Sequence, residues 1–338
     1  MICDVTLIAG NDLTNAGTLR ATNNLTATAT ATNNLVNSGL IQSGDRLSLT
    51  STLGDITNRA GGIISGRDVS LTASRGDILN ERTITTHAAS YAGQSLREDY
   101  ADSAARIEAS NNLSLIAGRD INNVGSVLSA GGNATLIAGR DVNLVSAQTQ
   151  TGRSSGANNT RSSITQLTGS LTAGRDLGIG AGRDLTAVAS TLSAGGNASL
   201  AAQENLTLAA AADETHSYSK SKKVTRQEDH VSQQITTLTA GGNVSLMASQ
   251  GDLTLVASKV EAANEAYLYA GKDLNVLAAQ DSDYSLYDMK KKGSFGAKKT
   301  KRDEVTDVRN LGSEIKAGGD ITLKSEGDKK KGTDLFSF

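Results

Sequence analysis

The side chains able to do chemistry are few, and they crowd into particular stretches of the chain. All three histidines (His87, His216, His230) and five of the seven tyrosines (Tyr91, Tyr100, Tyr218, Tyr284, Tyr287) fall within segments at about 80–106, 146–166, 212–234 and 281–313. If the third segment folds back near Lys223, His216 and His230 face each other and could begin a metal site. No cysteine or carboxylate at ligand spacing completes one, so cross-strand polar pairing is expected, with no metal and no cofactor. The densest basic cluster is Lys290, Lys291, Lys292, Lys298, Lys299, Lys301 and Arg302, with Lys220 and Lys222 in a second basic stretch. Such a cluster could meet acidic glycans, lipopolysaccharide phosphates or nucleic acid; with acidic neighbours Asp288, Asp303 and Glu304 it also suits a solvated hairpin tip.

Other short motifs dissolve on inspection. Ser217-Tyr218-Ser219-Lys220 satisfies SxxK without its companion motifs, and Arg75-Gly76-Asp77 occupies a position that Gly-Arg-Asp or Gly-Asp fills elsewhere in the chain. The glycine-containing phrases lead directly into strands without the carboxylate spacing of a calcium repeat, and HExxH, GxSxG and phosphate loops are absent. The expectation is a protein that is not an enzyme.

What positions these residues is a repeat. An Asn or Asp followed by apolar, polar, apolar recurs in pairs: Asp4 and Asp12, Asn24 and Asn34, Asp45 and Asp55, Asp68 and Asp77, Asn112 and Asp120, Asn133 and Asp141. The series continues with Asp176 and Asp184, Asn197 and Asn205, Asn243 and Asp252, Asn264 and Asp273, then Asp320. Where nothing intervenes, successive pairs start 20 to 23 residues apart, the signature of a solenoid. The alternation is period 2, and a third apolar segment such as Val127-Leu128 precedes each pair. The predicted fold is all-β: a parallel, right-handed β-helix over 1–338, with about three short strands per 21-residue coil. Corner glycines are expected to supply positive φ. The Asn and Asp side chains are expected to bond their own turns and form a ladder along the axis. Eleven such corners imply a rod of roughly 50 Å at strand spacing.

The four chemistry-bearing segments break this repeat in register. The step from the second marker of a pair to the next pair is normally 12 or 13 residues, but is 35 from Asp77, 35 from Asp141, 38 from Asn205 and 47 from Asp273. The insertions therefore share one slot and recur after every second coil from Asp68 onward. Two coils advance by about the width of a two-stranded hairpin, so each insertion is expected to be an antiparallel hairpin on one flank, able to pair with the next into a further sheet. "KKKGSFGAKK" reads as a hairpin tip.

Composition agrees with a narrow rod. The 338 residues include no Trp, no Pro and 35 Gly, with aromatics at 3% and a net charge of −2. A core must be filled by Ala, Val, Leu and Ile, a sugar-stacking groove is hard to build, and nothing draws the whole chain to nucleic acid. Cys3 is the only cysteine, which excludes an intrachain disulfide. No apolar run approaches the ~20 residues of a transmembrane helix. The opening "MICDVTLIAG" reads as the repeat already under way, as in an interior piece of a longer chain.

The phrases "SAGGNATLIAGRDVNL", "LTAGRDLGIGAGRDLTAVAS" and "LTAGGNVSLMASQGDLTLVAS" resemble the filamentous-haemagglutinin repeats of Gram-negative two-partner secretion exoproteins. The insertions with "THSYSKSKKV" are most similar to the distal repeat region of contact-dependent growth-inhibition exoproteins. The resemblance implies an extracellular β-helical filament, exported through an outer-membrane transporter, whose distal repeats meet the target cell's envelope and serve toxin delivery. The Asn-Pro motifs of the family's secretion domain and its VENN pretoxin motif are absent. A β-helical polysaccharide lyase or hydrolase and a passive scaffold are the competing readings.

Overall fold

A computed structural model describes residues 3–30, 34–293 and 297–327. It is a parallel β-helix with three faces, each a continuous parallel sheet, of 11, 10 and 10 strands. One coil illustrates the rest: Leu113–Ala117 lies on the first face, Ile121–Val124 on the second and Val127–Ala130 on the third. Each strand pairs in parallel with its counterpart one coil on, as Leu115 with Leu136, Ile121 with Val142 and Leu128 with Leu171.

Alternation sends one set of side chains into a column of stacked aliphatics. Leu71, Leu115, Leu136, Leu200, Leu246 and Leu268 are fully buried on the first face, and Leu128, Leu171, Leu192 and Leu238 on the third. No aromatic side chain contributes to this core among the described residues.

The corner glycines serve a different purpose from the one expected. Gly139, Gly174, Gly195 and Gly241 do not have positive φ. A Cβ on Gly139 would lie 2.3 Å from the carbonyl oxygen of Gly118 in the coil before, and Gly174 and Gly195 are similarly placed over Gly131 and Gly174. At these positions the stacked backbones approach too closely for a Cβ, so glycine is required there by contact between coils rather than by backbone twist. Ser74, Ser110, Gln203 and Ser249 hold the matching corners of other coils. Left-handed backbone occurs instead at the corner between the second and third faces, at Gly125 (φ 55°), Ala189 (φ 46°) and Ala257 (φ 44°).

That corner is also where the hairpins leave the rod. They comprise Ile84–Tyr91 with Gln94–Ala101, Ala147–Ser155 with Asn159–Leu167, Ala211–Lys220 with Val224–Gln234, and Ala279–Lys292 with Lys298–Leu311. Asn80 and Arg106, at the edges of the first expected insertion, instead belong to the coil, on the second and third faces. Between hairpins the corner is closed by the left-handed residues, so tight turns and hairpins alternate coil by coil. Neighbouring hairpins then pair edge to edge into one eight-stranded antiparallel sheet.

Candidate functional site

The recurring Asn and Asp residues form two ladders along the rod, one at the first corner, where the third face leads into the first, and one at the second corner, between the first and second faces. At the second corner, a side-chain oxygen accepts the backbone N–H of the matching residue one coil on: Asp120 from Asp141 (3.1 Å), Asp141 from Asp184 (3.2 Å), Asn205 from Asp252 (3.0 Å) and Asp252 from Asp273 (3.1 Å). At the first corner Asn112 accepts from Asn133 (3.0 Å), Asn133 from Asp176 (3.1 Å), Asp176 from Asn197 (2.8 Å) and Asn197 from Asn243 (2.9 Å), while Asp68 accepts from Asn112 (3.2 Å). The bonds reach the next coil, not the residue's own turn. Asn243 in turn accepts from Glu265, which, rather than Asn264, holds the corner position; Asp320 matches Glu265 in register.

A row of carboxylates at strand spacing repels itself, and arginines offset this. Arg119 bridges to Asp77 through Nε (3.0 Å), Arg140 to Asp120 (2.7 Å) and Arg183 to Asp141 (2.8 Å). The Arg of these three Gly-Arg-Asp phrases thus holds an Asp of the coil before, as does Arg67 with Asp45 (2.9 Å). The hydrogen bond from Arg140 keeps the Asp120 carboxyl below the usual carboxylate range. Asp77 of the Arg-Gly-Asp tripeptide is engaged in the same way, and its Gly76 is buried against Gly54.

Inside the rod runs a further ladder that the sequence reading missed. The amide of Asn15 donates to Asn37 (2.8 Å), Asn37 to Asn58 (2.8 Å), Asn58 to Asn80 (2.9 Å) and Asn80 to Asn123 (2.7 Å). Asn37, Asn58, Asn80 and Asn123 are at most 1% exposed. Each stands three residues after a second-corner marker, a fixed offset legible in the sequence.

The hairpin sheet holds the remaining chemistry and differs in kind. Ala147 is its one buried residue, so both faces of the sheet meet solvent along most of their length. Its register separates the candidate contact residues. His216 lies opposite Asp229 and Thr215 opposite His230, so the two histidines point to opposite faces instead of facing each other. His216 Nδ1 pairs with Asp229 and His230 Nδ1 with Asp283 of the next hairpin. Tyr218 and Tyr284 share the face of His216, while Tyr91, Tyr100 and Tyr287 share that of His230.

Polar pairing holds most of them. Tyr100 donates to Glu98 (2.5 Å), which raises its hydroxyl pKa, and meets the His87 ring edge-on at 5.3 Å. Tyr284 donates to Glu304 (2.9 Å) and is raised by it. The Tyr287 ring lies between Arg226 and Lys301, 5.3 and 5.7 Å from its centroid. Tyr91, by contrast, is 86% exposed at the end of the first hairpin. Ser217 and Lys220, three apart on one strand, point to opposite faces, so they form no nucleophile–base pair. Lys222, Lys290, Lys291, Lys298 and Lys299 gather where the third and fourth hairpins end, and Lys220 closes the last pair of the third. Residues 294–296 of the fourth tip lie outside the described residues.

A parallel β-helix with a lateral hairpin sheet defines the class, and comparison with known families gives it a family. The haemagglutinin repeat model matches residues 84–159, 151–227 and 216–305, and a second haemagglutinin repeat model matches 4–52 and 42–97. The chain belongs to the haemagglutinin-repeat family. Among individual proteins it is similar to the deoxyribonuclease CdiA of Dickeya dadantii (strain 3937), at 35% identity over 185 residues. That match covers 54% of this chain and 6% of the relative's length. No solved structure matches the chain. Family and relative together place the chain among secreted, cell-surface filament proteins built on haemagglutinin repeats. Among the described residues, no helix is long and apolar enough to cross a membrane.

Proposed function

We propose that this segment is a rod that carries a contact surface, and that the hairpin sheet is that surface. The supporting observation is the sheet's continuity: four hairpins leave one corner in alternate coils and join into eight strands with solvent on both faces. A sheet that buries almost nothing contributes little to the rod's core, yet its length and side-chain variety exceed what closing the corner requires. Its role is reach and presentation towards a target-cell envelope, through protein, glycan or lipopolysaccharide. Export uses the outer-membrane transporter of a two-partner system, and coil-by-coil stacking suits folding as the chain emerges.

No catalytic role is assigned to these residues, and no nucleic-acid partner. The deoxyribonuclease named in the CdiA relative is a property of that much longer protein. The competing β-helical carbohydrate-active enzyme needs clustered carboxylates free to act; those of the rod are engaged in the corner ladders.

The test replaces all four hairpins by the single-residue corner seen at Ala189, then measures capture of target-cell envelopes by the purified segment. The rod is expected to keep its far-ultraviolet β spectrum while envelope capture is lost. Capture that persists on the bare rod rejects the hairpin surface, and leaves the passive-scaffold reading.

A further inference from the structure

We infer that the paired tips of the third and fourth hairpins form a binding site for a multiply charged phosphate headgroup displayed on a membrane surface. This rests on the reading of the hairpin sheet as a contact surface and gives it a ligand class.

The site is a recess of about 540 Å³ lined by Lys222, Lys223, Lys290, Lys291, Lys292, Lys298, Lys299 and Thr300. It is built by backbone pairing across two hairpins, since the Lys290 N–H donates to the Lys223 carbonyl at 2.8 Å. Within the fourth hairpin, Lys291 lies directly opposite Lys299 and Lys292 directly opposite Lys298. Like charges in direct cross-strand pairs are destabilising. The two pairs are consecutive and so project to opposite faces of the strand pair, which loads both sides of the tip with positive charge, and Lys222 and Lys223 of the third hairpin line the recess beside them.

Several basic side chains elsewhere on this molecule are matched. Arg119, Arg140 and Arg183 hold aspartates of the rod, Lys259 holds Glu261, and Lys301 and Arg302 hold Asp303 and Glu304 just below the recess. Of the recess lysines, Lys290 has an ion pair, to Asp288 at 3.4 Å. The local excess of positive charge therefore stands out against a chain of net charge −2.

The chemistry selects the ligand. Lysine ammonium groups are compact point charges that suit phosphate oxygens, and Thr300 adds a hydroxyl donor. Lysines brought from two hairpins to line one recess match an anion with several charges close together, as in clustered phosphate esters, better than carboxylates spaced along a sugar chain. The lining contains no aromatic ring and no arginine, so it offers no platform for stacking bases. A position at the hairpin ends presents the site to a surface, where each lysine adds to attraction for anionic headgroups.

The experiment measures binding of the full segment to phosphatidylcholine vesicles containing phosphatidic acid, against vesicles containing phosphatidylserine at equal surface charge, with inorganic pyrophosphate as a soluble competitor. The quadruple variant Lys290→Gln, Lys291→Gln, Lys298→Gln, Lys299→Gln is compared with a charge-matched rod variant, Arg20→Gln, Arg46→Gln, Lys272→Gln, Lys316→Gln. The expected result is preference for phosphatidic acid, competition by pyrophosphate, loss of affinity of about a hundredfold or more in the tip variant, and near-parental binding in the rod variant. Equal binding to the serine lipid, or equal loss in both variants, overturns the site. Should the quadruple variant misfold, Lys291→Thr with Lys299→Thr, which removes one opposed pair, must lower binding by at least about tenfold. The two readings fail separately. If envelope capture needs the hairpins but vesicle binding ignores the lysines, only the phosphate site falls; the converse removes only the envelope-contact reading.

Discussion

The rod and the hairpin sheet are built at the same strand spacing from the same chain, yet they are stabilised in opposite ways. In the rod, parallel strands close around stacked leucines and alanines that are almost wholly buried. In the hairpin sheet, antiparallel strands pair through backbone bonds and polar side chains, and almost nothing is buried. An isolated hairpin without an apolar face is marginal in water. Here four of them are ordered because the rod delivers their bases in register, two coils apart, so that adjacent hairpins meet edge to edge. The rod supplies the order, which frees the hairpin sequences to vary in charge and ring content.

The largest expected effect breaks this contrast at matched leucines. Leu246→Ala, in the rod's buried column, is expected to cost about 2–5 kcal/mol, because the stacked coil cannot collapse around the lost side chain. Leu286→Ala, half-buried on the fourth hairpin, is expected to cost less than about 1 kcal/mol. Denaturant unfolding followed by circular dichroism compares them. Equal losses would mean that the hairpin sheet contains a core of its own.

A smaller effect distinguishes the lower rod from the upper. Below Asn123 the second face points asparagines inward; above it the same column holds Leu144, Ala187, Leu208 and Leu255. In those upper coils a buried hydroxyl takes over, with Ser190 donating to the Leu144 carbonyl and Ser258 to that of Leu208, both at 2.8 Å. Asn58 donates to Asn80, to the Gly62 carbonyl (2.9 Å) and to the Arg106 carbonyl (3.1 Å). Asn58→Leu leaves these acceptors without that donor and should cost about 1–3 kcal/mol despite the gain in apolar surface. A neutral or stabilising result would show the ladder to be dispensable.

Which of these features could be read from the sequence follows from their physical range. Strand alternation and the corner Asn or Asp are local, and repetition amplified them, so the three faces were legible from phrases such as "AGGNATLIAGRDVNL". The hairpins were legible because their slot and spacing are arithmetic. The interior asparagines were overlooked because a polar residue at an inward position contradicts binary patterning until its ladder partners are known. The opposed histidines failed for a subtler reason. Lys220 pairs with Thr225, so the third hairpin turns between Lys222 and Lys223 and not on Lys223. Half a residue in the turn's centre is one residue in register, and that sends each side chain to the other face. The arginine bridges depend on the neighbouring coil, which no single repeat reveals.

The smallest expected effect concerns pH and again separates rod from hairpins. The Asp120 carboxyl is held below its ordinary range, first by its hydrogen bond from Arg140 and then by the backbone N–H of Asp141, against the cost of burial. A lowered folded-state pKa means that the interaction stabilises the rod above the unfolded value near 3.8 and is lost as pH falls through the folded one. Asp120→Asn should therefore weaken the rod at neutral pH and flatten its acid-induced loss of stability below about pH 4, while the parent keeps the steeper dependence. The substitution keeps an oxygen for the Asp141 N–H and removes the charge facing Arg140, so it isolates the ion pair from the ladder. Unfolding midpoints of both proteins between neutral and acid pH decide the matter. Parallel curves would show that the corner ladder, and not its arginine bridge, carries the contribution of Asp120.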